Sequence, residues 1–398
     1  FNSQYGFRKN RSTEQAALEL SDRILAHMDN NKTPISIFLD LSKAFDTLNH
    51  TILLQKLKYY GITGKSLDLC QNYLSNRQQY TQYNNTSSKL QSITTGVPQG
   101  SIFGPFLFLI YVNDFHNCTQ EFSMIHYADD TTLSTTLDSP NSTNNSLNDS
   151  LKQIHHWLNA NKLILNISKT KYMIFHTPQK HIAPPLLHIN NTAITRVDNF
   201  DFLGITFNEH MNWKSHHKKI SLKIGKTIGI LNKIKHIFPN CILLKLYQSL
   251  ILPQLNYGIL LWANNANSIA TLQKRALRSI TNSKYNAHTD PLFKKLRLLK
   301  LYDIRKFFEL KFFFKLQNGN LPEYFLLNNF TVTHGQIHHQ NTRNQSNLAL
   351  PTHRHHFFKS SLKYTLINTV NNLPPDLKLL IHTHSLQAFS SRIKQHFI

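Results

Sequence analysis

Three aspartates occupy positions where a carboxylate would be costly without a compensating charge. Asp40 lies near the end of the short apolar run from Ile35 to Leu41, and Asp129 and Asp130 separate two further runs. A buried, unpaired charge is expensive, so something must compensate it. Hard divalent cations with oxygen ligands do so, and two such ions can activate an attacking hydroxyl and hold a leaving pyrophosphate. One such aspartate is more often a turn or cap residue, but the three together favour a metal site.

A second candidate feature is the turn-forming stretch from Gly96 to Gly104. Gly96, Pro98 and Gly100 surround Gln99, which predicts a tight turn whose main chain a ligand can approach closely. The Gln99 side chain can donate and accept hydrogen bonds, which suits contact with a polar ligand. A structural turn without a ligand is the alternative.

Arg8, Lys9 and Arg11 form a basic cluster before the first predicted helix. The planar guanidinium group of arginine suits phosphate because it offers two parallel hydrogen bonds. For any one of these residues, a solvated basic surface is an equally good interpretation.

Hydrophobic periodicity and turn residues predict the elements that must position these side chains. A helix is expected from Ser12 or Thr13 to about Asp29, with Ser12 and Gln15 as a capping box. Further predicted elements are a strand at 35–41, helices near 52–60 and 67–74, a hairpin of 78–83 with 90–93, a helix at 106–112, a hairpin of 122–127 with 131–137, a loop at 138–150, a helix at 151–158 and a strand at 172–175.

From Asn212 to about Leu316 the sequence predicts long helices rich in lysine. Lysines recur every three to five residues between Lys214 and Lys235, while apolar residues at helical spacing face a core. This basic side either follows nucleic-acid phosphates or is simply solvated. The apolar positions are Ile220, Ile224, Ile228 and Leu231.

The C-terminal part is divided by turns at Pro322, Pro351 and the pair Pro374 and Pro375. Its histidines are dense enough to suggest metal binding, but their spacing does not repeat and no cysteine lies among them. Polar surface loops are therefore the preferred interpretation. These histidines are His334, His338, His339, His353, His355 and His356.

Composition points to a polyanionic partner. The chain has 398 residues and a formal net charge of +23, so it is expected to form two or three subdomains and to bind nucleic acid. Its three cysteines are too dispersed for a zinc pattern, which favours a reducing compartment. No run reaches the ~18 apolar residues of a membrane span, and no membrane contact is expected.

Several segments resemble the reverse transcriptases of non-LTR retrotransposons, of the jockey and LINE kind. FLDLSKAFDTLNH at 38–50 is similar to polymerase motif A, TGVPQGSIFGPFLF at 95–108 to motif B, and YADD at 127–130 to motif C. Further similarities are QYGFRKNRST at 4–13, the lysine region at 168–171 and NFDFLG at 199–204. Four blocks in the family order are far more specific than YADD alone.

The resemblance implies roles for individual residues. Asp40, Asp129 and Asp130 would be catalytic and would bind two Mg²⁺ ions, or Mn²⁺, together with Leu41. Phe45 would lie beneath the incoming sugar and favour deoxynucleotides by steric exclusion of a 2′ hydroxyl. The other implied contacts are Gln99, Gly100, Arg8 and Lys9 with the substrate, Lys169 or Lys171 as proton donor to pyrophosphate, and Phe202, Leu203 and Gly204 as the primer grip.

The implied fold is mixed α/β (α+β) in the right-hand polymerase arrangement with an antiparallel palm sheet. We expect partial fingers and palm at 1–207, a helical thumb and connection at 208–316, and a mostly helical C-terminal extension of unknown role at 317–398. The implied function is RNA-directed DNA polymerisation with an RNA template, a DNA primer and deoxynucleoside triphosphates, in the cytoplasm and nucleus. An upstream endonuclease domain and the native N-terminus are expected to be missing.

Two alternatives remain open at this stage. The chain could bind nucleic acid without polymerising, because incomplete fingers would leave the triphosphate site unformed. A group II intron type of reverse transcriptase is disfavoured, because no maturase segment is recognisable and words such as NNLPPDL at 371–377 are similar to the retrotransposon group.

Overall fold

The structure is a computed structural model that describes residues 2–137, 143–328, 330–338, 345–383 and 385–398. The chain forms two compact units. The sheet unit comprises residues 1–11 and 32–198, and the helical unit comprises residues 12–31 and 199–398. The functional division at residues 207 and 316 remains a prediction.

The helices of the described residues dominate the second half of the chain. In order they are α1 (Thr13–Asp29), α2 (His50–Tyr59), α3 (Lys65–Leu74), α4 (Phe103–Tyr111), α5 (Thr143–Ala160), α6 (Lys214–Ile234), α7 (Asn240–Leu246), α8 (Leu252–Asn256), α9 (Ile259–Trp262), α10 (Asn267–Ile280), α11 (Asp290–Leu296), α12 (Leu301–Gln317), α13 (Glu323–Leu327), α14 (His334–His338), α15 (Leu362–Asn371), α16 (Pro375–Thr383) and α17 (Leu386–Phe397).

The strands are concentrated in the first 208 residues. They are β1 (Thr33–Leu39), β2 (Gln78–Gln79), β3 (Gln82–Tyr83), β4 (Thr86–Ser87), β5 (Gln91–Ser92), β6 (Ser123–Tyr127), β7 (Asp130–Leu137), β8 (Lys171–Ile174), β9 (His188–Ile189), β10 (Thr192–Ala193), β11 (Thr195–Arg196), β12 (Asn199–Phe202) and β13 (Ile205–Asn208). The mixed helix-and-sheet class is thereby confirmed.

One five-stranded sheet organises the sheet unit, with the strand order β11-β8-β1-β7-β6. All neighbouring pairs are antiparallel except β11 and β8. β1 lies in the middle, and all seven of its residues are buried, as its apolar and β-branched composition predicts. Its end, where Asp40 follows, is therefore held by strands on both sides.

Helices α2, α4 and α5 cover the core of the sheet unit. Leu53 of α2, Phe108 of α4 and Leu151 of α5 belong to the same buried cluster as Ile37 of β1. The prediction of a loop at 138–150 was wrong from residue 143 onward, because α5 begins at Thr143. Residues 138–142 lie outside the described part of the chain.

Helix α1 starts where its cap predicts. The Ser12 hydroxyl accepts a hydrogen bond from the Gln15 amide at 3.3 Å, which confirms one half of the predicted capping box. In the helical unit α1 is tied to the C-terminal region, because the Asp29 carboxylate accepts hydrogen bonds from the backbone amides of Arg354 (3.1 Å) and His355 (2.8 Å). The Tyr324 hydroxyl donates to the half-buried Asp22 carboxylate at 2.8 Å.

Helix α12 is the centre of the C-terminal helices and packs against α15 and α17. A buried ion pair joins Arg305 to Glu309 at 2.9 Å, and Glu309 also accepts from Thr369 of α15 at 2.6 Å. Both charges are thus paired and hydrogen-bonded, as buried charges must be. The C-terminal region is mostly helical, as predicted.

No described histidine of residues 334–356 belongs to a group with metal-ligand spacing. His355 instead contacts Asn31, with 2.7 Å between Nε2 and Oδ1. His339 and the side chain of His338 lie outside the described residues. None of the helices in the described ranges combines the length and apolarity that crossing a membrane requires.

Candidate active site

The β6–β7 hairpin presents two of the three predicted acids. Tyr127 and Asp130 form the last pair of the ladder, so Ala128 and Asp129 are the two turn residues. Ala128 has φ +57°, a left-handed conformation that is uncommon for a residue with a side chain. The predicted arrangement of strand, two acids and strand is therefore present, and Asp129 lies at its tip.

The sheet register brings Asp40 to this hairpin. Leu39, the last residue of β1, pairs with Thr131 of β7. Asp40 directly follows Leu39 and Asp130 directly precedes Thr131, so both acids lie at the same end of this strand pair. Residues separated by ninety positions in the sequence thus meet at one end of the sheet.

The three carboxyl groups are close enough to influence one another's ionisation. Burial is the first cause that raises the pKa of Asp129, and the negative charge of Asp40 raises that pKa further. The pKa of Asp130 is raised to about 6 by desolvation and by the charges of Asp129 and Asp40. Crowded carboxylates in partly apolar surroundings disfavour their own ionisation, and a bound cation would reverse this.

Leu41 and Lys169 border Asp40. The strand continues beyond β1 through a bridge between Leu41 and Leu165. The two hydrogen bonds of this bridge use the Asp40 carbonyl and the Ser42 amide, so neither engages the Leu41 carbonyl oxygen. The Lys169 ammonium lies 3.9 Å from the Asp40 carboxylate and is largely exposed.

Lys171, the other lysine considered for proton donation, occupies a different environment. It lies within β8, where it pairs with Phe38 of β1. Lys169 is therefore the lysine that the structure brings to an acid of the site.

Phe45 lies between two other aromatic rings. Its ring stacks on Phe108 of α4, with centroids 4.4 Å apart and planes at 26°. Phe7 meets it edge-on at 6.2 Å. Phe45 is only half-buried, so it is a fixed ring with an accessible side rather than a core residue.

The glycine-containing turn before α4 is fastened to the segment that follows Asp40. The Gly96 amide donates to the Leu48 carbonyl at 2.8 Å, and the Gln99 side-chain amide donates to the Asp46 carboxylate at 2.9 Å. Gly96 has φ +83°, and a Cβ there would lie 2.7 Å from the Asp46 carbonyl oxygen. Glycine is required at this close approach, whereas Gly100, also at φ +83°, faces open space.

The basic cluster divides into two parts. Arg11 donates to the carbonyl of Asn2 and lies over the Tyr5 ring at 5.3 Å, so it supports its own segment. Arg8 and Lys9 are exposed at the surface. The sheet unit therefore presents these two cations to solvent.

The predicted primer-grip residues form a hairpin turn in the helical unit. Leu203 and Gly204, both with positive φ, connect β12 to β13. The Tyr257 hydroxyl donates to the Leu203 carbonyl, and Gly204 is exposed. The Phe202 side chain is buried against Phe207, so it supports the hairpin from within.

The geometry of the acids agrees with a sequence comparison. Residues 1–207, just over half of the chain, match the family described as reverse transcriptase (RNA-dependent DNA polymerase). The chain belongs to the reverse transcriptase family. This range agrees with the motif blocks recognised between residues 4 and 207, and enzymes of this family use divalent metal ions.

Curated proteins similar to this chain include proteins of mobile elements. The chain is 26% identical over 316 residues to a probable RNA-directed DNA polymerase from transposon BS of Drosophila melanogaster. It is 24% identical over 315 residues to the RNA-directed DNA polymerase from mobile element jockey of the same organism. The predicted resemblance to the non-LTR retrotransposon group is thereby confirmed.

These alignments cover 74% and 75% of this chain but 34% of each relative. The chain thus spans about a third of the length of these curated relatives. Among solved structures, a telomerase from Candida albicans, in complex with the TWJ fragment of telomeric RNA, aligns over 75% of this chain and 55% of that chain. Its TM-score is 0.42, with 13% sequence identity.

Two polar residues of this candidate site were not predicted from the sequence. Asp46 accepts the Gln99 hydrogen bond, and the His50 Nε2 lies 2.7 Å from the Gly96 carbonyl oxygen. Both hold the turn of motif B against the segment after Asp40. Their place within motif A was a sequence signal, but the pairing with a turn some fifty residues later was not visible in it.

Proposed function

We propose that this chain is the polymerase part of an RNA-directed DNA polymerase of a non-LTR retrotransposon. In the proposed reaction a primer 3′ hydroxyl attacks the α-phosphate of a deoxynucleoside triphosphate and pyrophosphate leaves. The observation that carries the proposal is the meeting of Asp40 with Asp129 and Asp130 at one end of the sheet. The relatives named as RNA-directed DNA polymerases support it.

The donor set of the site fits hard divalent cations. The three carboxyl groups and the backbone carbonyl of Leu41 are oxygen ligands of the kind that Mg²⁺ prefers. Burial and the neighbouring negative charges raise the pKa of Asp129 and Asp130, and a bound cation would offset this repulsion. Asp40 and Asp129 would hold two Mg²⁺ ions, or Mn²⁺, with Asp130 as a supporting acid. Such ions supply charge neutralisation at the attacking and leaving oxygens.

Residues around the acids would bind and select the nucleotide. Phe45 would lie beneath the sugar, since its ring is fixed on Phe108 and keeps one accessible side. Gln99 and Gly100 would contact the nucleotide or template base through an exposed turn with no side chain at Gly100.

Cationic side chains would serve the triphosphate. Arg8 and Lys9 are exposed cations, and cationic side chains bind phosphate through charge-assisted hydrogen bonds. Lys169, held near Asp40, would transfer a proton to the departing pyrophosphate as a general acid.

The template and primer would be an RNA strand and a DNA strand, which form an A-like hybrid read by shape and backbone. The turn at Leu203 and Gly204 would grip the primer, and the exposed lysines of α6 would follow the phosphates. Priming from nicked genomic DNA would require the protein, made in the cytoplasm, to act in the nucleus. The full-length element protein would supply an endonuclease.

Primer extension tests the proposal directly. The full chain is incubated with poly(rA), oligo(dT), dTTP and Mg²⁺, and extension is expected for the native sequence. The Asp129→Asn variant should lose at least about 10³-fold in rate, because one metal-binding carboxylate is removed. Asp149→Asn is the matched control, since Asp149 is an exposed acid of the same unit that pairs with Lys152.

Extension that survives Asp129→Asn would overturn the assignment of the acids. Binding of template and primer without any extension by the native sequence would instead support a chain that only binds nucleic acid.

A further inference from the structure

The N-terminal segment runs along the outer side of β6, the strand that leads into the acid hairpin. The Tyr5 amide donates to the His126 carbonyl at 2.7 Å, and the His126 amide donates to the Ser3 carbonyl at 2.9 Å. Gln4 and His126 thereby form a parallel bridge. This pairing brings the Gln4 side chain to the turn that carries Asp129.

The carboxamide of Gln4 satisfies both backbone polar groups of Ala128. Its Oε1 accepts from the Ala128 amide at 2.9 Å, and its Nε2 donates to the Ala128 carbonyl at 3.3 Å. The same Oε1 accepts from the Gly6 amide at 2.7 Å. Gln4 is 2% exposed, so these bonds are shielded from water.

Ala128 needs such support because its backbone is left-handed. A residue with a side chain adopts φ +57° only where its surroundings impose it, and such positions cluster at functional sites. Asp129 follows directly, so the direction of its carboxylate depends on this conformation. An alanine at Gly6 would place its Cβ 2.3 Å from the Ala128 nitrogen, which explains glycine there.

We propose that Gln4 is a positioning residue for Asp129, acting through Ala128 rather than through any contact with substrate. The inference rests on the proposed polymerase function. An amide suits this role because its NH2 group can donate and its oxygen can accept two hydrogen bonds, without carrying a charge into a cluster of three carboxylates. The competing interpretation is that Gln4 is a buried polar residue that contributes to stability alone.

A matched pair of variants separates these interpretations. Gln273 in the helical unit is also a buried glutamine with three hydrogen bonds, to the Tyr247 hydroxyl (3.0 Å), the Leu299 carbonyl (3.0 Å) and the Leu301 amide (2.9 Å). Gln4→Met and Gln273→Met therefore each remove three side-chain hydrogen bonds from a site of similar burial. Both should lower the melting temperature of the full chain.

Only Gln4→Met should change the chemistry. We expect kcat of primer extension to fall about 10- to 100-fold, with KM for dTTP changed by less than about threefold. Mn²⁺ titration of the full chain, followed by the EPR signal of free Mn²⁺, should show about tenfold weaker binding in Gln4→Met and no change in Gln273→Met. Mn²⁺ binding provides a readout that does not depend on turnover.

Equal kcat and equal Mn²⁺ affinity in the two variants would overturn the inference. Should Gln4→Met not fold, Gln4→Ala replaces it, because the smaller side chain leaves room for water beside the Ala128 amide. The same loss of kcat and Mn²⁺ affinity is expected of Gln4→Ala, and their retention contradicts the proposal. Inactivity of the native sequence would be a failure of the proposed function, not of the role of Gln4 in Mn²⁺ binding.

Discussion

Asp129 and Asp130 are adjacent in the sequence but differ in electrostatic surroundings. In addition to burial, the charge of Asp40 raises the pKa of Asp129, whereas the charges of both other carboxylates help to raise the pKa of Asp130 to about 6. The repulsion among the three carboxyl groups disfavours ionisation of Asp129 and Asp130, and the Lys169 ammonium lies 3.9 Å from the Asp40 carboxylate. A divalent cation bound between Asp40 and Asp129 would lower the energy of Asp130 as well, which suits a supporting role.

Phe45 gives a prediction on sugar selection. Replacing its ring in Phe45→Ala should remove the steric barrier to a 2′ hydroxyl, so the ratio of kcat/KM for dATP over ATP should fall about tenfold or more. Single-nucleotide incorporation opposite a template uridine measures both values. Phe106→Ala is the control, because Phe106 is a half-exposed ring of α4 that stacks on Phe103 instead. An unchanged ratio in Phe45→Ala would remove Phe45 from the proposed site.

The sequence could predict the type of residue at Phe45 but not its surroundings. An aromatic residue five positions after Asp40 is compatible with a core, and only the motif indicated a nucleotide contact. The stacking partner Phe108 lies 63 residues later on another element. Such a contact depends on tertiary packing, which local periodicity does not encode.

The hairpin of β12 and β13 is attached to helix α6 by side chains of the first helical turns. The Nδ1 of buried His216 accepts from the Thr206 amide at 3.2 Å, and Lys219 pairs with Asp201 at 2.7 Å. Burial is the main cause that lowers the pKa of His216 to about 4, and the nearby His217 and Lys219 contribute to the lowering. The neutral imidazole is thus the form that joins the hairpin to the helix.

Acid should therefore loosen this attachment. The pKa of His216 is about 4 in the folded protein and about 6.5 when unfolded, so the unfolded state binds more protons between these values. Stability from this residue is present above pH 6.5 and is lost as the pH falls towards 4, by about 2 kcal/mol between pH 7 and pH 5.

Comparison of the native sequence with His216→Asn checks this prediction. The amide oxygen of asparagine can accept the Thr206 hydrogen bond but does not titrate. The difference in free energy of unfolding between the two proteins should shrink on acidification from pH 7 to pH 5, as the histidine protein loses more. A difference that is independent of pH would contradict the role of His216.

Element boundaries were predictable where local signals exist. Ser12 and Gln15 marked the start of α1, and the apolar runs on either side of Asp129 marked both strands of the hairpin. The N-terminal half of α5 was missed because polar residues dominate it. Leu147, four residues before Leu151 and buried like it, was the available signal, since it extends the helical spacing by one turn.

Which segments belong to which of the two units could not be predicted from their order in the sequence. Helix α1 ends only four residues before β1 begins, yet it belongs to the helical unit and not to the sheet unit. Bonds such as that between Asp22 and Tyr324 link residues 302 positions apart. Hydrophobic patterns predict which face of a helix is buried but not which distant segment covers it.

The net charge of +23 leads to a prediction for the whole molecule. Each phosphate neutralised by a lysine releases condensed counterions, so affinity for template and primer should fall steeply with salt. Lys223 and Lys226 of α6 are the test positions, because both are exposed while Ile224 and Ile228 of the same helix are buried in the core. The double variant Lys223→Gln and Lys226→Gln should reduce the slope of log K against log salt by about 1.4–1.8.

A charge-matched control distinguishes a contact surface from net charge alone. Lys294 and Lys295 of α11 are exposed as well, and their replacement by glutamine removes the same two charges from the molecule. If the α6 lysines contact phosphates, fluorescence anisotropy titrations across a salt series should show a smaller slope for the α6 variant and a nearly native slope for the α11 variant. Equal slopes in the two variants would mean that α6 attracts nucleic acid only through the overall charge, because counterion release requires local contact whereas long-range attraction does not.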